Sequence, residues 1–176
     1  MAKLKVPVTT QDHIQGNENA LITLVEYGDY ECPHCGHAHP IVKRVQEHVG
    51  DRLRFVFRNF PLKEIHPNAE SAAETTEFAA QNGSFWEMHD GIFENQEVLG
   101  LPLFYELSDR LGLAVSSLHA ALANQEYLPR VREDFRGGVR SGVNGTPTFF
   151  INGRRHDGPF EFEDLVEAIE EEARLT

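Results

Sequence analysis

The order of predicted elements along the chain indicates an α/β fold into which an all-helical segment is inserted. Two short apolar segments, residues 20–28 and 52–60, flank a helical pattern, and a third, residues 146–153, follows much later. The segment 61–140 has only helical spacing of apolar side chains, and a structureless loop of that length would be implausible. The predicted architecture is therefore one compact α/β unit that is interrupted by helices.

The first strand–helix–strand unit is predicted within residues 20–60. The segment ALITLVEYG is short, apolar and rich in β-branched residues, which indicates a buried strand. A helical pattern covers residues 33–49, where Gly50 ends it, and Pro40 is expected to kink this helix. The segment RLRFVFRNF, residues 52–60, has the composition of a second strand.

The rest of the chain completes this architecture. In residues 61–140 apolar side chains recur at intervals of three or four residues. After them TPTFFING (residues 146–153) has a strand pattern, RRHDGPF is expected to return as a short partner strand, and EFEDLVEAIEEEARLT is expected to form a closing helix. We predict a single domain (1–176) in which residues 1–60 and 141–176 form the core and residues 61–140 form the inserted helical subdomain.

The composition argues against several classes of partner. The formal net charge of −12 disfavours a nucleic acid or an anionic membrane, because both reward clustered lysine and arginine. The apolar runs are too short to span a bilayer. The N-terminal segment has lysines but no apolar stretch after them, so we do not identify a secretory signal peptide and we expect a cytoplasmic location.

The only two cysteines lie in the motif Cys32-Pro33-His34-Cys35, directly after the first predicted strand. Residues three positions apart share one face of a helix, so the two sulfur atoms can come within bonding distance. Pro33 suits the first helical position. A helix N-terminus favours a thiolate, Cys32 benefits most as the earlier sulfur, and His34 can add positive charge or a hydrogen bond. The motif therefore favours redox chemistry between the two sulfurs.

Two other interpretations of the cysteine pair stay open. Zinc needs four ligands, of which the pair supplies two. His37 and His39 could complete the set, with His66 or His89 approaching from elsewhere, although both sulfurs would then have to point along their own helix. A structural disulfide between residues so close in sequence would close a very short loop and stabilise little.

Two segments of the chain, EYGDYECPHC (residues 26–35) and GTPTFFING (residues 145–153), carry a family resemblance. Together they resemble the DsbA-like thiol–disulfide oxidoreductases of the thioredoxin superfamily. The likeness spans nearly the whole chain, and it implies a thioredoxin-like fold with an inserted all-helical subdomain. It also implies an enzyme that exchanges disulfides with cysteine-containing protein substrates and with a thiol redox partner, without a metal or an organic cofactor.

The resemblance implies roles for individual residues. Cys32 is expected to be the nucleophile that forms a mixed disulfide, and Cys35 the resolving cysteine. Pro147 is expected to be a cis-proline that faces the pair, and Thr146 to offer backbone groups to an extended substrate peptide. Glu26 matches a buried acid that moves the proton of the resolving cysteine, and its other interpretation is an exposed glutamate at a strand end.

Other histidines are expected to have ordinary roles. His37 and His39 are interpreted as solvated helix residues. The segment FRNFPLKEIHPNA resembles the junction into the helical subdomain of these relatives, and we assign no catalytic role to His66.

The direction of electron flow stays open at this point. The best-known relatives work outside the cytoplasm, whereas we expect this chain inside it, where an oxidising pair would rest mainly reduced. The alternative function is a thioredoxin-like binding module that holds zinc or a partner peptide without turnover. A glutathione-using relative is a weaker third possibility, because such branches usually lack the intact pair.

Overall fold

The computed structural model describes residues 1–176 and contains one sheet of five strands. These strands are β1 (His13–Gly16), β2 (Ile22–Gly28), β3 (Leu53–Asn59), β4 (Thr148–Ile151) and β5 (Arg154–His156). Their order across the sheet is β1-β3-β2-β4-β5. β1 pairs antiparallel with β3, and β4 pairs antiparallel with both β2 and β5.

Seven α-helices accompany the sheet. They are α1 (Pro33–Val49), α2 (Ala69–Gln81), α3 (Phe85–Glu94), α4 (Leu101–Arg110), α5 (Val115–Ala123), α6 (Leu128–Arg140) and α7 (Phe162–Leu175). Short 3-10 helices occupy Gly50–Arg52 and Gln96–Val98. No helix combines the length and the apolar character that crossing a bilayer requires. The predicted α/β class is confirmed, and so is the predicted order of a strand, a helix, a strand, a helical block, two strands and a helix.

The edge strand β1 is the one strand that the sequence does not predict. Its four residues, HIQG, contain a single apolar side chain, so they lack the alternation that marks a half-buried strand. The strand forms because its backbone pairs with β3, from His13 opposite Phe57 to Gly16 opposite Arg54. Pairing with a distant segment therefore supplies what local propensity does not.

Contacts between residues divide the chain into two compact units. The first unit comprises Met1–Gly28, His37–Arg58 and Arg136–Thr176, and the second comprises Asp29–Gly36 and Asn59–Phe135. Both cysteines thus belong to the second, mainly helical unit in this division. Whether residues 61–140 form a subdomain of their own stays a prediction.

The first unit has its core on the sheet. The strands β2 and β4 contribute fully buried side chains, among them Leu24 and Phe150, and both strands contact α7 through a helix face that buries Leu165 and Ile169. This closing helix is amphipathic, as its sequence predicts, and burying its apolar face removes from water the side chains that repeat at helical spacing.

Arg58 forms hydrogen bonds with the N-terminal segment of the first unit. Its side chain is 3% exposed and donates to both carboxylate oxygens of Asp12, at 2.8 and 3.0 Å. It also donates to the carbonyl oxygens of Val6 and Pro7 and to the hydroxyl oxygen of Tyr27. Five hydrogen bonds to one planar guanidinium satisfy a charge whose burial would otherwise be costly.

The second unit is held together by contacts among α2, α3, α4 and α5. Its interior contains apolar side chains that are 0% exposed, among them Met88, Ile92, Phe104 and Leu118. These side chains lie on the helix faces that the spacing of apolar residues predicts.

Candidate active site

The two cysteines lie at the start of α1. Pro33 is the first residue of this helix, so Cys32 directly precedes it and Cys35 lies in its first turn. The carbonyl oxygen of Cys32 accepts the first hydrogen bond of the helix, from the Gly36 N–H at 3.0 Å. Both cysteines are buried, with exposed fractions of 4% and 0%. The predicted helix start at Pro33 is confirmed.

The helix start supplies a favourable site for negative charge. Backbone N–H groups without a partner in the helix, together with the helix dipole, stabilise an anion there. The first turn of α1 has no acidic side chain that would offset this effect. The sulfur of Cys35 also accepts a hydrogen bond from the N–H of Asp29, at 3.4 Å. Each of these groups favours a cysteine thiolate over a thiol.

The loop before the cysteines is anchored through the carboxylate of Asp29. This side chain is fully buried and accepts hydrogen bonds from the N–H groups of Glu31 and Leu62, each at 2.8 Å. The same oxygen that binds Leu62 lies 2.8 Å from Nδ1 of His66, whose side chain is 16% exposed. Because an ionised carboxylate only accepts hydrogen bonds, Nδ1 of His66 carries the proton in this pair.

Three further anchors hold the same loop. The carboxylate of Glu31 accepts the N–H of Asn68, just before α2, at 2.6 Å. The side-chain amide of Gln96 donates to the carbonyl oxygens of Tyr30 and Cys32, each at 2.9 Å. The hydroxyl of Tyr30 lies 2.8 Å from Nδ1 of His89. The loop therefore receives its shape from residues that lie far away along the sequence.

Gly36 leaves room for the close approach of the Gln96 side chain. A Cβ atom at this position would overlap the Gln96 side-chain oxygen and lie 2.9 Å from its amide carbon. Since Gln96 holds two carbonyl groups of the cysteine loop, the glycine protects the anchoring of that loop as well as its packing.

The structure also places the other residues predicted for the site. Pro33 and His34, between the cysteines, are exposed. Glu26 is 3% exposed on β2, opposite Phe149 of β4, so the interpretation as an exposed strand-end glutamate is wrong. The Thr146–Pro147 peptide bond is cis, and both residues directly precede β4. The functional roles of these five residues stay predictions.

The two histidines later in α1 differ from each other. His37 is exposed, as expected, and its Nε2 lies 2.8 Å from a carboxylate oxygen of Glu161. His39 is only 9% exposed, so the expectation that it faces water is wrong. It lies three positions before the buried Val42 and therefore on the buried face of α1. The helix geometry places His39 on that face although its side chain is polar.

The arrangement does not favour a zinc site built on the cysteine pair. No cluster of three possible metal ligands in the protein includes Cys32 or Cys35. Two of the histidines that might have completed such a site, His66 and His89, direct Nδ1 at an aspartate and a tyrosine of the cysteine loop.

Comparison with known proteins places these observations in a family. Residues 8–171 match the family model described as thioredoxin. Among curated proteins, the Na(+)/H(+) antiporter NhaA 3 of Salinispora tropica is 41% identical over 167 residues, which is 94% of this chain and 26% of that protein. The chain thus spans about a quarter of the length of the curated relatives it matches.

Solved structures show the same fold. BdbD from Bacillus subtilis is 24% identical, with 98% of each chain covered and a TM-score of 0.86. A thioredoxin-like oxidoreductase from Silicibacter pomeroyi is 22% identical, covering 96% of this chain and 95% of that one, with a TM-score of 0.80. The structure of α-DsbA1 from Wolbachia pipientis is 19% identical, covering 98% of this chain and 96% of that one, with a TM-score of 0.82. The predicted thioredoxin-like fold is confirmed, and the chain belongs to the thioredoxin family.

Proposed function

We propose that this protein is a thiol–disulfide oxidoreductase whose redox pair is Cys32 and Cys35. One observation carries the proposal: in a member of the thioredoxin family, both sulfurs lie at the start of one helix, three residues apart, where the helix N-terminus favours a thiolate. A binding module without turnover would not need this arrangement. The antiporter name belongs to much longer relatives, and the cysteine motif of this chain is the basis for the function proposed here.

The proposed reaction consists of two exchanges. The Cys32 thiolate attacks one sulfur of a substrate disulfide, a mixed disulfide forms, and the other substrate sulfur leaves as a thiolate. Cys35 then loses its proton and attacks the sulfur of Cys32, which releases the second substrate thiolate and leaves a Cys32–Cys35 disulfide. Two electrons pass from the pair to the substrate. The same steps in reverse oxidise a substrate dithiol.

Several residues are proposed to support these steps. Pro33 and His34 tune the ionisation of Cys32, and Glu26, buried on β2, moves the proton of Cys35. Thr146 and Pro147, just before β4, offer backbone groups to an extended segment of a cysteine-containing protein substrate. A thiol of a separate redox partner restores the starting state of the pair.

Two substitutions test the proposal. Cys32→Ser removes the attacking thiolate and is expected to abolish catalysis in a turbidity assay of insulin reduction and in the oxidative refolding of a reduced protein. Cys35→Ser keeps the first attack and is expected to accumulate a mixed disulfide, visible as a mass increase on a non-reducing gel. Catalysis by Cys32→Ser at the wild-type rate would exclude the proposed function.

The cytoplasmic location predicted from the sequence belongs to this proposal, because location decides the direction of electron flow. Equilibrating the protein in defined mixtures of reduced and oxidised glutathione gives its redox poise. A strongly oxidising value would indicate disulfide donation, and a strongly reducing one would indicate a reductase. Fractionation of cells that produce the protein tests the location directly.

A further inference from the structure

The sulfur of Cys35, the proposed resolving cysteine, accepts a hydrogen bond from the backbone of Asp29, whose side chain pairs with His66. The sulfur of Cys35 is 0% exposed, so water does not replace a lost protein donor there. The N–H of Asp29 points at this sulfur from 3.4 Å. A hydrogen bond to a charged acceptor is stronger than one to a neutral acceptor, so this contact strengthens when the thiol becomes a thiolate.

The residue that carries this N–H is anchored through its own carboxylate. The Asp29 side chain is fully buried and accepts two backbone N–H groups and Nδ1 of His66. The carbonyl oxygen of Asp29 meanwhile accepts the N–H of Cys32. Of the groups that bind the carboxylate, His66 is the only one that belongs to a side chain, and it is partly exposed.

We propose that His66 is a positioning residue: through the carboxylate of Asp29 it holds the Asp29 N–H on the sulfur of Cys35, and so favours the Cys35 thiolate in the resolving step. The proposal rests on the proposed function, since resolution is the second exchange of that reaction. It assigns to His66 a role that its sequence context does not suggest, because the two residues are 37 positions apart.

The step itself involves only the two cysteines and the bound partner. The Cys35 thiol gives up its proton, the resulting thiolate attacks the sulfur of Cys32, and the bond between Cys32 and the partner sulfur breaks. The electron pair of that bond leaves with the partner thiolate. His66 takes no part in bond making, and its effect is confined to how easily Cys35 carries negative charge.

A coloured disulfide separates the two exchanges in one experiment. Reduced protein mixed with dithiobis(nitrobenzoate) releases one coloured thiolate when Cys32 attacks and a second when Cys35 resolves the mixed disulfide. We expect His66→Ala to slow the second release about tenfold, since a hydrogen bond to a charged group is worth at least that factor, and to change the first release by less than about twofold.

Matched variants distinguish positioning from a general loss of structure. His66→Asn places an amide nitrogen at the same distance along the side chain as Nδ1, so it is expected to restore the second phase to within about threefold of wild type. His119→Ala removes an exposed imidazole that contacts Tyr105 in the same unit, and both phases are expected to stay unchanged. An unchanged second phase in His66→Ala, an equal slowing of both phases, or failure of His66→Asn to restore the rate would each overturn the inference.

A second measurement keeps this inference separate from the proposed function. In Cys32→Ser the only remaining thiol is that of Cys35, and the ultraviolet absorbance of its thiolate can be followed without any exchange reaction. Adding His66→Ala is expected to lower the acid dissociation constant of Cys35 about tenfold, the factor expected for the second phase. A wild-type protein that exchanges no disulfides would refute the proposed function, whereas an unchanged Cys35 dissociation constant would refute the role of His66.

Discussion

Glu74 provides a direct test of how burial controls stability in the second unit. Its side chain on α2 is only 6% exposed, and its Oε1 has no hydrogen-bond partner. Burial, reinforced by the negative charge of Glu70 and opposed by Arg132, raises the pKa of Glu74 from its ordinary value of 4.5 to about 7. The folded protein therefore favours the protonated carboxyl group.

The expected effect follows from this displaced pKa. Because folded Glu74 binds its proton more tightly than unfolded Glu74, its protonation stabilises the fold fully below about pH 4.5, and that stabilisation is lost as the pH rises through about 7. At about 1.4 kcal/mol per pKa unit, the displacement from 4.5 to about 7 corresponds to about 3 kcal/mol. Glu74→Gln keeps the size of the side chain and removes the charge. Above pH 7 it is therefore expected to raise the free energy of unfolding by up to about 3 kcal/mol.

Urea unfolding at pH 5 and pH 8 measures this effect, with the fluorescence of the single tryptophan, Trp86, as the probe in the same unit. From pH 5 to pH 8, the free energy of unfolding of the wild type is expected to fall relative to that of Glu74→Gln. Glu87→Gln serves as the control because Glu87 is exposed on α3, and its pH dependence is expected to match that of the wild type. A stability difference between Glu74→Gln and wild type that is the same at both pH values would refute the reasoning.

Three further substitutions test buried charge, packing and the anchoring of the cysteine loop. Arg58→Met removes the guanidinium that donates to the buried Asp12 carboxylate, and urea unfolding is expected to show a loss of about 3 kcal/mol; a loss below about 1 kcal/mol would contradict this. Gly28→Ala places a methyl group 2.5 Å from the Phe57 ring and is expected to cost about 1–3 kcal/mol, so an unchanged Tm would exclude the predicted clash. Gln96→Ala removes the donor to two carbonyl groups of the cysteine loop, and it is expected to speed amide hydrogen exchange in that loop, where wild-type protection would speak against anchoring.

The elements that the sequence predicts best are those with strong local signals. The strands β2 and β3 have apolar, β-branched sequences, and α1 begins at a proline and ends before a glycine, so their chemistry marks them without knowledge of the fold. β1 carries no such signal, because its polar residues become a strand only through pairing with β3. The sequence analysis does not predict the burial of His39. A histidine is polar and is expected to face water, whereas its position in α1 places it on the buried face.

The residues of the candidate site show the same difference between local signals and long-range contacts. Cys32 and Cys35 were predictable because their spacing and the proline between them are local features. The anchors of their loop were not, since His66 lies 37 residues from its aspartate partner and Gln96 lies 64 residues from Cys32. No periodicity or short motif connects residues at such separations.

The same distinction bears on how the cysteines become reactive. The helix start is a local source of thiolate stabilisation, but a helix of 17 residues with an internal proline is marginal in isolation. The loop before it is fixed by side chains and amides of the second unit, which bind three consecutive residues, Asp29, Tyr30 and Glu31. Because those anchors hold the loop from which α1 starts, even the local effect of the helix N-terminus depends on the surrounding fold. Substitutions remote from either sulfur are therefore able to change the chemistry of the pair without contacting it.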